Sequence, residues 1–157
     1  MRNYWLFKSE PQTYGFERLK REGRTEWSGV RNYQARNHML AMHVDDLGFF
    51  YHSSTKEPGI AGIVRVVREA YPDFTARDRS SPYFDPKATA ANPIWQMVEV
   101  AYEGELPRFV SLAELRRCVA LASTMVLLRK GSRLSVQPVH PREWQIVLDL
   151  ASHAPAT

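Results

Sequence analysis

Three apolar stretches crowd the middle of this chain and restrict its fold more than any other feature. Leu47 to Tyr51 is a compact apolar run; Ile60 to Ala70 is rich in Val and Ile and carries Arg65 and Arg68 at intervals; Ile94 to Tyr102 reads I-W-Q-M-V-E-V-A-Y. Alternation of this kind is the mark of strands. No helix-length pattern separates them, so antiparallel pairing is expected. Around them lie a strand at about 3–8 ending before Pro11, a short helix from Gly15 to Arg21 closed by Gly23, and a helix over 31–42. An S-L-A-E capping box at Ser111 to Glu114 starts another helix. A helical stretch near 120–128, a strand over 132–139 and a helix from Pro141 to Leu150 complete the order. The expected class is α+β: a mixed sheet curled into a small barrel, with peripheral helices. Residues 71–93 hold Pro72, Pro82, Pro86 and Pro93 among Asp, Ser and Arg. They read as a long loop or excursion of a kind that, inside a compact domain, is usually functional or mobile.

At 157 residues the chain fits a single domain over 1–153, with 154–157 a flexible tail. The net charge of +4, with arginine dominating lysine, points to anionic partners. No apolar run approaches the roughly 18–20 residues of a membrane helix, and the start lacks a secretory apolar core, so a cytoplasmic protein is expected. Cys118 is the one cysteine, which excludes a disulfide framework. No phosphate-binding glycine loop is present, and His38 and His43 lack metal-ligand spacing. No metal and no cofactor are expected. Ser53 beside His52 resembles a nucleophile and base, but neighbours on a strand face opposite ways. An enzyme acting on a nucleotide or other small polar ligand remains the alternative to a binding role.

The binding reading rests on Glu26 to Asn37, E-W-S-G-V-R-N-Y-Q-A-R-N. Aromatic faces, amides and guanidinium groups together suit a flat, polar, heteroaromatic ligand, a nucleobase above all. Strand ends add to this. The first strand runs out into Lys8-Ser9-Glu10-Pro11 and the second into Tyr51-His52-Ser53-Ser54. If the two are neighbours, they form one polar rim. Ser132, Arg133, Ser135 and Gln137 give the last strand the same character.

Y-W-L-F-K-S-E-P (Tyr4 to Pro11), W-S-G-V-R-N-Y-Q-A-R-N (Trp27 to Asn37), F-Y-H-S-S (Phe50 to Ser54) and R-L-S-V-Q-P-V (Arg133 to Val139) resemble the EVE domain family over nearly the whole chain. The resemblance implies a PUA-like mixed β pseudo-barrel, close to YTH and ASCH domains, with a pocket for a modified base. It implies nucleic acid as partner, carrying methylated or hydroxymethylated cytosine in DNA or a modified RNA base. By the same resemblance Trp27 would be the stacking wall, Lys8 and Ser9 the floor, and Asn32 the reader of a base edge. Tyr51, His52 and Ser53 would line the opposite side. Arg133 and Ser135 would complete the pocket or meet a phosphate, and Arg31 and Arg36 would hold backbone phosphates.

Overall fold

The computed structural model describes residues 2–154. Its strands are β1 (Tyr4–Ser9), β2 (Arg24–Trp27), β3 (Leu47–His52), β4 (Gly59–Pro72), β5 (Gln96–Ser111) and β6 (Val136–Val139). Its helices are α1 (Pro11–Tyr14), α2 (Phe16–Glu22), α3 (Tyr33–Leu40), α4 (Leu112–Arg117), α5 (Val119–Ala122) and α6 (Pro141–Ala151). One mixed sheet holds all six strands in the order β2-β5-β4-β3-β1-β6. Every pairing is antiparallel except β1 with β3. The parallel pair sets Lys8 opposite Tyr51 and Ser9 opposite His52, so the two polar strand ends are neighbours.

The sheet curls because its two longest strands do not pair evenly. The β4–β5 register shifts between Ile60 and Gly62, Ile63 and Val64, Val66 and Arg68, and Arg68 and Tyr71. Each bulge bends the strand and adds twist. Alternation then gives two cores. Trp5, Phe7, Phe50, Val64, Val66, Val98 and Val100 face the inside of the curl with Phe16, Leu19 and Met39. Leu6, Phe49, Tyr51 and Ile60 face the other way, under Leu115, Trp144 and Val147. Trp144 stacks on Phe49 with centroids 3.9 Å apart and on Tyr4 at 4.6 Å. The turn before β3 is fixed by buried Asp46, whose carboxylate accepts from Trp5 Nε1 at 2.9 Å and from the Asn3 and His43 amides at 3.0 Å.

Several boundaries differ from the sequence reading. Strand β2 was not expected: R-T-E-W offers only one large apolar residue, and β2 forms by pairing with β5. The strand placed at 94–102 runs on to Ser111 through Pro107. Pro107 falls where the ladder is already interrupted, between the pairs Gly62–Glu105 and Ile60–Val110, so its missing N–H forfeits no bond. The final strand covers only Val136–Val139; residues 132–135 ahead of it are irregular, and there the Gln137 side-chain amide donates to Leu134 O at 2.8 Å. The helix over 31–42 is shorter, starting at Tyr33 with Asn32 as its cap. The tail is described only at Ala154; residues 155–157 lie outside the described residues.

Gly62 lies where β4 passes beneath Phe16. A Cβ there would sit 2.0 Å from Phe16 Cζ, and that ring is held against Phe50 and Tyr102 at 5.4 Å each. Gly62→Ala should destabilise the protein by about 1–3 kcal/mol, the usual cost of overpacking, read as a fall in the urea midpoint. An unchanged midpoint would show that Phe16 is free to move.

Candidate functional site

The curl brings the edge strand β2 over β1 and β3, which are not its partners in the ladder. Trp27, the last residue of β2, packs edge-on against Phe7 of β1 (5.1 Å) and Phe50 of β3 (5.6 Å). The same residue lines a cleft of about 900 Å³. One wall is β2 and the turn after it, Arg24 to Arg31; the other is Lys8, Ser9 and Glu10 with Ser135. Tyr14, Arg18 and Glu22 close one side, and Tyr83 closes the other. Trp27 is only 8% exposed, so the same indole serves the core and the cleft.

The edge of β2 also faces this gap. Tyr102 N–H donates to Gly23 O at 2.9 Å across the β2–β5 ladder, which makes Gly23, Thr25 and Trp27 the hydrogen-bonded positions. Arg24 and Glu26 therefore turn their N–H and C=O groups to the free edge. Peptide groups at a strand edge are donors and acceptors at fixed positions.

Charge in the cleft is balanced. Lys8, Arg18, Arg24 and Arg31 line it together with Glu10, Glu22, Glu26 and Glu99. Many of these pair with one another or with neighbours. Glu99 accepts from Tyr71 Oη at 2.7 Å and also pairs with Arg24 and Arg68, and these bonds, Tyr71's first, hold its carboxyl below the usual range. Glu22 accepts from Tyr14 Oη at 2.7 Å and pairs with Arg18, whose guanidinium lies 4.8 Å over the Tyr14 ring. Burial lowers the pKa of Lys8 from its ordinary value.

The wall bearing Tyr83 belongs to the long excursion, and Arg31 fastens it. The guanidinium donates to Tyr83 O at 2.8 and 3.0 Å, to Asp73 Oδ2 at 3.0 Å and to Thr75 Oγ1 at 3.1 Å. It also lies 5.8 Å over Tyr83 and 5.5 Å over Trp95. Asp73, fully buried, accepts from Gly29 N–H at 2.8 Å as well. Gly29 has φ 81°, and a Cβ there would meet the Tyr83 ring at 3.0 Å. Glycine lets the turn and the ring share this space.

The residues singled out in the sequence divide into those at the cleft and those elsewhere. Trp27, Lys8, Ser9, Ser135 and Arg31 line it. Arg31, however, spends its donors inside the protein instead of presenting them to a phosphate. Asn32 lies outside the lining; its Oδ1 accepts from Ala35 N–H at 2.9 Å as the cap of α3. Arg36 donates to Ile94 O and Asn37 Oδ1 and lies over Tyr33. Tyr51 belongs to the core on the opposite face, because alternation sends it away from Phe50. His52 Nε2 accepts the Phe16 N–H at 3.1 Å at the start of α2, and Ser53 N–H donates to Ser9 O. Arg133 is exposed, two residues from Ser135. Tyr14, Arg18 and Tyr83 were missed: nothing local in the sequence signals that α1, α2 and the excursion meet Trp27.

Among the described residues no group of three His, Cys, Asp or Glu side chains is placed to hold a metal ion, and no helix is long and apolar enough to cross a membrane.

Known proteins place this arrangement in context. The EVE domain model matches residues 3–150. Human Thymocyte nuclear protein 1 is 40% identical over 171 aligned positions, covering 98% of this chain and 76% of that protein. A crystal structure of a Pseudomonas putida protein has a TM-score of 0.91 at 50% identity, covering 94% of this chain and 99% of that one. The human THYN1 protein, solved in complex with 5-methylcytosine-containing DNA, has a TM-score of 0.91 at 41% identity, covering 98% and 99%. The YTH domain of Zygosaccharomyces rouxii MRB1 shares the fold alone, with a TM-score of 0.55 at 12% identity over 99% of this chain and 88% of that one.

Two measurements check this geometry. Arg31→Ala strips a partner from buried Asp73 and should cost about 2–3 kcal/mol, with new protease cleavage within 78–92; an unaltered midpoint and digest would contradict the fastening role. The His52 acceptor requires a neutral ring, and burial lowers its pKa. The unfolded chain then binds more protons than the folded one below the ordinary histidine value of about 6.5. This contribution is full above that value and is lost as pH falls through the folded pKa. His52→Gln, a neutral acceptor, should reduce the pH dependence of the melting temperature across that window; an identical profile would remove His52 as its source.

Proposed function

The chain belongs to the EVE domain family, and from that premise we propose that it is a non-enzymatic nucleic-acid-binding domain that holds a modified nucleobase in the Trp27 cleft. The observation that carries this reading is the combination of an aromatic wall with balanced charge. An indole face and two flanking tyrosines suit a flat ring, and a lining of four cations and four carboxylates offers a phosphate no net attraction. A neutral base enters such a cleft without an unpaired charge. Stacking on an aromatic contributes about 1–3 kcal/mol per base.

Trp27 supplies the stacking face, and Lys8, Ser9 and Ser135 supply polar groups on the facing wall. The free N–H and C=O groups of Arg24 and Glu26 supply a main-chain edge complementary to the donor and acceptor edge of a base. Methylated or hydroxymethylated cytosine is the first candidate, supported by the relative solved with 5-methylcytosine-containing DNA; a modified RNA base is the second. Among the described residues no histidine or cysteine lines the cleft, and Ser9 Oγ donates to Tyr14 O at 2.6 Å. These features favour holding a ligand over turning it over. A base drawn from a duplex must be flipped at a cost of a few kcal/mol, which a single strand avoids.

The test compares short single strands bearing cytosine, 5-methylcytosine or 5-hydroxymethylcytosine, with the matching free nucleosides. A 5-methyl group against apolar surface adds about 0.8 kcal/mol, roughly a fourfold preference over cytosine. Trp27→Phe keeps an aromatic against Phe7 and Phe50 and should weaken binding roughly tenfold. Absence of binding at low salt, or turnover of a bound nucleoside, would overturn the reading.

A further inference from the structure

The charge-balanced cleft leaves the molecule's positive excess to act elsewhere. Arg129, Lys130 and Arg133 fall within five consecutive residues and are all exposed. Among the described residues none of the three pairs with a carboxylate; Arg116, Arg117 and Arg142 are unpaired too, but they lie on α4 and α6, whereas residues 129–133 lead directly to Ser135 at the cleft. The loop that carries them is a built turn. Ser132 N–H donates to Arg129 O at 3.2 Å, Gly131 takes φ 75°, and the Gln137 side-chain amide donates to Leu134 O at 2.8 Å. Within the same turn Ser132 Oγ is buried and has no hydrogen-bond partner among the described residues. The chain then reaches Ser135, which lines the cleft and accepts the Lys8 N–H at 2.8 Å. Two residues span at most about 7 Å, close to two steps of a nucleotide strand at about 3.4 Å of rise each.

We propose that residues 129–133 are the phosphate-contact site of the strand whose base enters the Trp27 cleft, with Arg129, Lys130 and Arg133 meeting phosphates beside that base. The inference rests on the reading of the cleft as a base site. It moves phosphate contact away from Arg31 and Arg36, whose donors are held by Asp73, Thr75, Tyr83, Asn37 and Ile94. Such contacts position the strand without reading its sequence. They supply most of the salt dependence of binding, while the cleft supplies the discrimination between bases.

The experiment uses the full chain carrying Arg129→Ala, Lys130→Ala and Arg133→Ala together. Its control removes equal charge on α4 and α6 with Arg116→Ala, Arg117→Ala and Arg142→Ala. Affinity for a 5-methylcytosine single strand is measured from 50 to 200 mM salt, beside affinity for the free nucleoside. Removing one cation from a phosphate flattens the plot of log affinity against log salt by about 0.7 for a single strand. The loop variant should therefore show a slope shallower by about 2, hold its nucleoside affinity, and melt like the parent protein. The control should keep the parent slope. If the parent binds strand and nucleoside but the loop variant keeps its slope, or the control flattens equally, the loop proposal fails and the cleft reading survives. If the parent binds neither, both fail.

Discussion

One indole ties the edge strand β2 to β1 and β3, with which it shares no ladder. Trp27 closes the curl by packing edge-on against Phe7 and Phe50, and the same residue lines the cleft. The rest follows from this double duty. A six-stranded sheet whose edge strands β2 and β6 do not pair must cover its interior without a ladder of hydrogen bonds there, and a large aromatic does so. The uncovered strip keeps a peptide edge available. Site and fold are therefore not separable here, since a large truncation of Trp27 would empty part of the core as well as the cleft wall.

Charge is distributed on two levels. Within the cleft, arginines and glutamates largely answer one another, as in the Arg18–Glu22 and Arg24–Glu99 pairs. The Arg18–Glu22 pair is exposed on both sides and contributes little to stability, whereas Glu99 is buried; together these pairs leave the lining charge-balanced, the property on which the proposed base site rests. Outside it, the Arg129–Arg133 turn leaves its cations unpaired among the described residues. Arg31 stands apart from both groups. Its bonds to Asp73, Thr75 and Tyr83 make it a brace for the excursion, so that a long loop can present Tyr83 at a fixed place.

Much of this was legible in the sequence. The α+β class and the mixed curled sheet follow from alternation and proline placement; the polar ends of β1 and β3 were visible, but their adjacency comes from the parallel pairing in the structure. The family follows from four unusual motifs. What escaped was whatever depends on contacts distant in sequence. Strand β2 carries almost no apolar signal and exists because β5 offers it an edge. Tyr51 read as a rim residue, yet strand parity sends it to the opposite core. Asn32 and His52 read as ligand groups, yet each accepts a helix-start N–H, a need that only the observed helix boundaries reveal. The arginines of W-S-G-V-R-N-Y-Q-A-R-N suggested phosphate, because a sequence does not show that Asp73 and Tyr83 O will meet Arg31.

The central claim is that Trp27 meets a base while remaining part of the core. The protein has four tryptophans, so four indole N–H signals report on it in nitrogen-15 NMR. Titration with 5-methylcytidine should shift the Trp27 indole resonance and leave those of Trp5, held by Asp46, and Trp144, stacked on Phe49, in place. A Trp27 resonance that stays fixed while the nucleoside binds would place the base elsewhere and contradict the account.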